Sequence, residues 1–348
     1  MILAWRVLER WISMLITLAK REQIKPPILV TGASGSGKTV SSIVMAKGIV
    51  DAKYPDLDDE DAWKKIAVID TEHERSKYYA DTTVANIKIG EFYHGAFEPP
   101  YTVKELEKGI QELKEKGVEV VVLDSLSHLW SGEGGIQDSV DKIQSKYPKA
   151  GFTAWGKVKP QIDELLRVLT ANSVFIICTA RSKTGYDMEK NANGKTIPVK
   201  VGLKPEIRDG WEYEFAINFN INQDHSAEAI KDNTNMFSDV APITEDTGKQ
   251  IYEWSTTGID PEEERRNLIM EVEELAQEDD LKRQKTDALI KRHGNLNGWN
   301  RAQLKSAKSY LEGLEVKQKR QPVSQQGNQS TTTAKENDDL DSLLANAK

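Results

Sequence analysis

A glycine-rich turn near the start of the chain carries a lysine and a threonine at a spacing that could bind phosphate. Gly32 and Gly37 bracket four residues, and Lys38 and Thr39 follow directly, which is the G-x-x-x-x-G-K-[ST] pattern. In such a turn backbone N–H groups surround a phosphate, the lysine reaches the β- and γ-phosphates, and the hydroxyl ligates Mg²⁺. We therefore predict that ATP and Mg²⁺ bind here, with Lys38 also acting in catalysis. The predicted nucleotide contacts are Gly32, Ala33, Ser34, Gly35, Ser36, Gly37, Lys38, Thr39 and Val40.

A second run of residues could complete the metal site. Residues 118–124 read VEVVVLD, in which aliphatic residues are followed by Asp124. This is the Walker B pattern, whose carboxylate holds Mg²⁺ directly or through water at the carboxyl edge of a parallel sheet. We therefore predict Thr39 and Asp124 as the protein groups that hold Mg²⁺.

Strands must precede these residues, and helices must cover the resulting sheet. Residues 28–30 lead into the glycine-rich turn, and further apolar runs occupy residues 66–70 and 174–179. Residues 101–116 have the spacing of an amphipathic helix. Apolar strands that alternate with helices predict an α/β fold with a mostly parallel sheet covered on both faces.

Three later stretches depart from this alternation. Residues 131–156 are rich in glycine and predict irregular structure, and residues 182–205 form a long polar segment that predicts a functional loop. From Tyr213 onward, the runs YEFAINFNIN, AEAIKDN and QIYEW predict short strands. These strands are expected to extend the sheet in the antiparallel sense.

Changes in composition divide the chain into four segments. Residues 1–25 predict an N-terminal helix and an entering strand, and residues 26–258 hold the core that carries the motifs. Residues 259–318 are charged and predict a small helical segment. Residues 319–348 are polar with an acidic end and predict a disordered tail.

The first twenty residues are apolar but contain Arg6, Glu9 and Arg10. They are too charged to span a bilayer, and they lack the features of a secretory signal. We expect this leader to pack on the core or to be non-native, with Met14 as an alternative start; the less favoured alternative is an amphipathic helix on a membrane surface. No membrane partner is predicted.

Charge and cysteine content exclude some functional classes. The 47 basic and 55 acidic residues give a net charge of −8, so any contact with nucleic acid must be local. The single cysteine, Cys178, lies in an apolar run, so an internal disulfide is impossible. These features suit a reducing, cytoplasmic location.

The runs AVIDTEHERSKYYA, residues 67–80, and VVVLDSLSHL, residues 120–129, resemble RecA-like recombinase ATPases. Residues 25–258 as a whole look most like bacteriophage-encoded RecA-like ATPases of the AAA type, some of which act in single-strand annealing and recombination. The resemblance implies a RecA-like P-loop NTPase core in a host-cell cytoplasm.

The resemblance also implies roles for individual residues. Glu72 would activate the attacking water, and Tyr79 would stack on the adenine; otherwise each is an ordinary surface side chain. Arg181 would sense the γ-phosphate, or would simply pair with an acidic residue. Lys231 would reach the nucleotide of a neighbouring subunit in a ring or filament, or would be a solvated strand lysine.

These implications favour an ATPase that acts on single-stranded DNA in phage recombination or replication, through residues 131–157 and 182–205. The expected DNA contacts are Lys183, Lys190, Lys195 and Lys200, with Phe152, Trp155 and Tyr186 stacking on bases.

Two alternatives remain open from the sequence. One is a small-molecule P-loop kinase, although residues 182–205 offer lysines and no arginine for a phosphate-covering lid. The other is a nucleotide-dependent protein that loads a partner on DNA. Its acidic tail, around Leu340, Leu343 and Leu344, would be a docking peptide or an inert end.

Overall fold

The computed structural model describes residues 18–171, 173–190 and 196–319, with only the backbone described for 184–190, 196–202 and 315–319. Its contacts divide the described chain into two units. The first is Ile24–Thr256, and the second combines residues 18–23 with residues 257–319. The predicted leader before residue 18 and the tail from residue 320 lie outside the described residues.

Among the described residues of the first unit, the strands form one eight-stranded sheet and a separate two-stranded sheet, β3 with β4, and helices surround them. The strands are β1 Ile28–Gly32, β2 Ile66–Asp70, β3 Thr82–Val84, β4 Ile87–Ile89, β5 Tyr93–Ala96, β6 Val120–Asp124, β7 Phe175–Lys190, β8 Thr196–Pro205, β9 Ile217–Ile221 and β10 Ala227–Asp232. The helices are α1 Lys38–Lys53, α2 Asp59–Trp63, α3 Val103–Glu115, α4 Leu126–Ser131, α5 Ile136–Lys146, α6 Thr153–Thr170 and α7 Glu245–Ser255.

The larger sheet runs β10-β9-β1-β7-β6-β2-β5, with β8 paired to β7, and its strands are parallel except β8 and β10. Alternate residues of one strand enter different hydrophobic clusters: Leu29 lies in one, and Ile28 and Val30 lie in the other. Both faces are therefore covered, which explains why these strands are apolar at every position. The predicted α/β fold with a mostly parallel sheet is confirmed.

Several local predictions were wrong. The strand β9 pairs with β1 in parallel, so of the described strands after Tyr213 only β10 is antiparallel. The run QIYEW lies in helix α7, and residues 131–156 contain helix α5. Residues 182–205 are an antiparallel hairpin of β7 and β8 around residues 191–195, which lie outside the described residues.

Helix α7 packs against α1 at a contact that only glycine permits. A Cβ on Gly48 would lie 1.8 Å from the carbonyl oxygen of Glu245, and a Cβ on Gly248 would lie 2.0 Å from that of Met45. The two backbones therefore touch directly. Because α1 begins at the glycine-rich turn, this contact fixes the helix whose N-terminus faces the predicted phosphate site.

The second unit is built on three helices, α8 Pro261–Glu278, α9 Asp280–His293 and α10 Arg301–Lys319. Their apolar faces meet in one cluster that includes Leu268, Trp299 and Leu311. In the described part of the chain, no helix combines the length and the apolarity needed to cross a membrane.

Replacing Gly48 by Ala tests the contact between α1 and α7. The added methyl group must displace backbone, so we expect a loss of at least about 1–3 kcal/mol of unfolding free energy, measured by denaturant titration. Gly109→Ala is the matched control, because Gly109 lies inside α3 with no atom within 4 Å of its would-be Cβ. The control should gain up to about 1 kcal/mol. Equal behaviour of the two variants would contradict the assigned contact.

Candidate functional site

The glycine-rich turn has the backbone conformation that its glycines suggest. Gly35 and Gly37 have φ of +80° and +93°, a region that side chains other than glycine adopt only with strain. Gly37 also caps α1, so the first free amides of that helix adjoin the turn. The Ser36 hydroxyl is buried without a hydrogen-bond partner among the described residues. The turn, Gly32–Thr39, thus offers donors suited to phosphate, and we call it the phosphate-binding loop.

The ammonium group of Lys38 lies over this loop. Its Nζ donates to the carbonyl oxygens of Gly32, at 3.0 Å, and Ala33, at 2.9 Å. Burial lowers the pKa of Lys38, although the charges of Asp124 and Glu72 oppose that shift. The lysine therefore stands close to both carboxylates and adjoins the position where phosphate is predicted.

Asp124 joins the loop to the end of β6. The Thr39 hydroxyl donates to one carboxylate oxygen of Asp124 at 2.5 Å, and the Thr179 hydroxyl donates to the other. Burial raises the pKa of Asp124, although these two hydrogen bonds oppose the shift. The two predicted metal-binding side chains are therefore in contact. A hydroxyl and a carboxylate are oxygen donors of the kind that Mg²⁺ prefers.

Asp70 shapes the segment that presents Glu72. Its carboxylate accepts hydrogen bonds from the backbone N–H groups of Glu72, at 2.6 Å, and Ser76, at 2.8 Å. Asp70 is opposite Asp124 in the parallel register of β2 and β6. The carboxyl ends of these two strands therefore bring Glu72 and Asp124 to the same edge of the sheet.

Glu72 is held by Arg181 in a two-point ion pair. The Nε of Arg181 lies 2.7 Å from Oε1 of Glu72, a terminal guanidinium nitrogen contacts Oε2, and Ser125 donates to Oε1 at 3.2 Å. Burial would raise the pKa of Glu72, but the hydrogen bonds and charge of Arg181 lower it below its ordinary value. Glu72 is therefore an ionised carboxylate, as the acceptor of a proton must be.

Strand β7 lies between β1 and β6 and contacts three parts of the site in succession. Thr179 bonds to Asp124, Arg181 bonds to Glu72, and the Ser182 hydroxyl accepts from the backbone N–H of Gly32 at 3.1 Å. The same strand then continues into the hairpin with β8.

His128 lies in helix α4, directly after β6. No pattern in the sequence indicated a role for this histidine in the site. Its Nδ1 lies 2.6 Å from the hydroxyl of Thr71, and its ring stacks on Tyr101 with centroids 5.2 Å apart. Burial and, next, the charge of Arg181 lower the pKa of His128. The ring is therefore neutral near pH 7 and supports the segment that carries Glu72.

Two further residues taken from the resemblance have contacts outside those described so far. Tyr79 is half-buried and packs against the cluster on the α1 face of the sheet, whereas its neighbour Tyr78 is 77% exposed. Lys231 pairs with Asn218 near the amino end of β9, and its Nζ donates to the carbonyl oxygens of Tyr213 and Phe215. It is not brought to the phosphate-binding loop of its own chain.

A groove of about 920 Å³ lies beside the base of the β7–β8 hairpin. Its aromatic lining includes Trp130, Phe152 and Trp155, and its basic lining comprises Lys159, Lys183, Lys204 and Arg208. The rings of Trp130 and Trp155 stack at 5.9 Å, and Phe152 is 93% exposed. We call this surface the aromatic–basic groove. Of the predicted DNA contacts, Lys195 lies outside the described residues, and the side chains of Tyr186, Lys190 and Lys200 are not described.

Residues 24–239, more than half of the chain, match the family model described as an AAA domain. The matched range contains the phosphate-binding loop, both site carboxylates and the β7–β8 hairpin. No curated protein matches the chain.

Replacing Asp124 by Asn tests the cost of the buried carboxylate. Because its pKa is raised in the folded state, the native protein binds this proton more tightly than the unfolded chain, and wild-type stability falls as pH rises through that window. The Asp124→Asn variant has no carboxyl group at this position, so its stability does not fall with pH for this reason. The Tm of the variant relative to the wild type, both without nucleotide, should therefore rise as the pH increases above about 4, the ordinary pKa of an aspartate.

Asp138→Asn is the control for this pH series. Lys142 and the N–H of Gly134 lower the pKa of Asp138, so its carboxylate adds stability at higher pH and the variant should show the opposite trend. If the Tm of Asp124→Asn instead fell relative to the wild type as the pH rises, the ionised carboxylate would stabilise the fold. The conclusion that burying it reduces stability would then be wrong.

Proposed function

The chain belongs to the AAA domain family, and from this premise we propose that it binds Mg²⁺·ATP and hydrolyses it in a reaction coupled to single-stranded DNA. One observation carries the proposal. The phosphate-binding loop, Asp124 and Glu72 converge at the carboxyl edge of one parallel sheet, with Thr39 hydrogen-bonded directly to Asp124.

In this proposal Lys38 and the loop amides hold the phosphates. Thr39 and Asp124 would hold Mg²⁺, which when bound would supply positive charge against the phosphate oxygens. Glu72 accepts a proton from water as the water oxygen bonds to the γ-phosphorus, and the bond to the β,γ-bridging oxygen breaks to release ADP.

Arg181 has two successive partners in this mechanism. With Glu72 it forms the two-point pair described above, which occupies both carboxylate oxygens. A γ-phosphate would compete for the same guanidinium, because arginine binds phosphate and carboxylate through the same planar donors. Transfer of Arg181 to phosphate frees Glu72 for water. The two roles that the sequence allowed for Arg181 were sensing the γ-phosphate and pairing with an acidic residue. In this proposal both apply, and the acidic residue is Glu72.

The aromatic–basic groove supports the DNA part of the proposal. Exposed aromatic rings stack on bases of any sequence, and lysine and arginine side chains pair with the backbone phosphates. The groove combines both kinds of side chain, and Lys183 directly follows Ser182, which bonds to the loop. DNA in the groove would therefore act on the residues that hold Glu72 and the loop.

Assembly into a ring or filament is the remaining part of the proposal. Lys231 would have to exchange its two carbonyl partners for the nucleotide of a neighbouring subunit. Sizing the protein by light scattering with and without ATP tests this step. A protein that stays monomeric with ATP and DNA present would remove Lys231 from the site.

Turnover of ATP with and without a single-stranded oligonucleotide tests the function as a whole. Stimulation of ADP release by DNA is the expected result. Transfer of phosphate to a metabolite, unaffected by DNA, would instead favour a small-molecule kinase and overturn the DNA-coupled ATPase.

Replacing Glu72 by Gln should spare ATP binding and slow hydrolysis by a factor of about 10²–10⁴, the contribution typical of a general base. Binding is measured by calorimetry and turnover by phosphate release. Glu74→Gln is the matched control, because Glu74 is exposed and pairs only with Lys77 among the contacts described. Hydrolysis by Glu72→Gln at the wild-type rate would show that another group activates the water.

Replacing Phe152 by Ala should weaken binding of single-stranded DNA by a factor of about 5–150, which corresponds to the loss of one stacked base. Because Phe152 is 93% exposed, the Tm should not change. Anisotropy of a labelled oligonucleotide at fixed salt measures the affinity. Tyr213→Ala removes an aromatic ring that is 73% exposed and outside the groove, and it should have no effect. Equal DNA affinities for the wild type and Phe152→Ala would place the DNA elsewhere.

A further inference from the structure

The turn between β9 and β10, residues 222–226, rests on the phosphate-binding loop. Ile221, the last residue of β9, is opposite Gly32 in the parallel register, so the turn leaves the sheet where the loop begins. Nδ1 of His225 lies 2.9 Å from the carbonyl oxygen of Ser36, and the Gln223 amide reaches the carbonyl oxygen of Ser34 at 3.5 Å. Two peptide units of the loop are therefore contacted from outside it.

The turn is built to hold His225 in this place. The backbone N–H of His225 donates to Asn222, and Asp224 accepts hydrogen bonds from both the N–H and the hydroxyl of Ser226. His225 itself has φ of +67°, a left-handed conformation that is uncommon for residues other than glycine. A Cβ on Gly37 would lie 3.1 Å from its Nδ1, so the ring also packs closely on the loop.

The bond to Ser36 determines the direction of an amide. A carbonyl oxygen can only accept, so Nδ1 of His225 carries the hydrogen in this contact. Because a peptide unit is planar and trans, the N–H of Gly37 points opposite to the carbonyl of Ser36, away from the turn. The weaker contact from Gln223 acts in the same way on the N–H of Gly35.

We propose that His225 is a positioning residue for nucleotide binding, which orients the Gly37 amide toward the phosphates through its hydrogen bond to Ser36. The inference rests on the proposed function, since it assigns a role within the same phosphate site. It adds a residue that lies outside the loop motif and 189 positions away from Ser36 in the sequence.

The test compares three proteins in binding a non-hydrolysable ATP analogue with Mg²⁺, by calorimetry. His225→Gly removes the ring without backbone strain, because glycine adopts φ of +67° freely. It should weaken binding by about three- to tenfold, the effect expected for one hydrogen bond. His225→Asn keeps a donor at the position of Nδ1 and also tolerates this backbone conformation, so it should restore near wild-type affinity.

Turnover supplies a second readout. For His225→Gly, KM for ATP should rise while kcat changes little, because the contact of His225 is to the loop backbone at Ser36 and not to Glu72 or Arg181. Asn235→Gly is a control for introducing glycine at a left-handed position, since Asn235 has φ of +58° beyond the opposite end of β10. It should behave as the wild type.

Each outcome is decisive. A wild type that fails to bind the analogue overturns both the proposed function and this inference. A wild type that binds, together with His225→Gly binding equally well, overturns the inference alone. Weakened binding by both His225→Gly and His225→Asn also overturns it, because the donor would then be irrelevant.

Discussion

The position of β7 between the loop-bearing strand and the strand that ends in Asp124 is the constraint on which the site depends. Thr179, Arg181 and Ser182 of β7 lie at the carboxyl edge of the parallel strands. They bond to Asp124, to Glu72 and to the backbone of Gly32, respectively. Because both neighbouring pairings are parallel, their carboxyl ends coincide. A shift of β7 by one residue would turn these side chains to the other face and break all three contacts at once.

The charged side chains of the site are paired with other groups of the same chain. Lys38 bonds to loop carbonyls, Asp124 accepts from two hydroxyls, and Arg181 occupies both oxygens of Glu72. Buried charges require such partners, since an unpaired one would be costly. Each of these bonds must be exchanged when a ligand takes one partner. Under the proposed function, a ligand on the loop would therefore act on Asp124 and Glu72 through these bonds.

The parts of this site that the sequence predicts are those encoded within a few consecutive residues. The phosphate-binding loop and Asp124 each follow an apolar strand, so motif and context agree locally. The pair of Glu72 and Arg181 joins residues 109 positions apart, and no local pattern could indicate which acid the arginine meets. No local pattern could indicate the contact between His225 and Ser36 either. Its turn reaches Ser36 only because β9 adds to the sheet in parallel beside β1, which the short apolar pattern of β9 could not reveal.

The wrong predictions for α7 and the hairpin have a common physical cause. In the five residues of QIYEW, strand and helix periodicities cannot be separated, and the contact of Gly48 with Glu245 that favours the helix is tertiary. In residues 196–204, Ile197, Val199, Val201 and Leu203 recur at the period of a strand, but the lysines and glycines of residues 182–205 outweigh this short pattern, and the pairing with residues 182–190 is tertiary. Yet β7 is continuous from Thr179 into this hairpin. One strand therefore contributes Arg181, which holds Glu72, and Lys183, which lines the aromatic–basic groove, and the proposed coupling to DNA would use this connection.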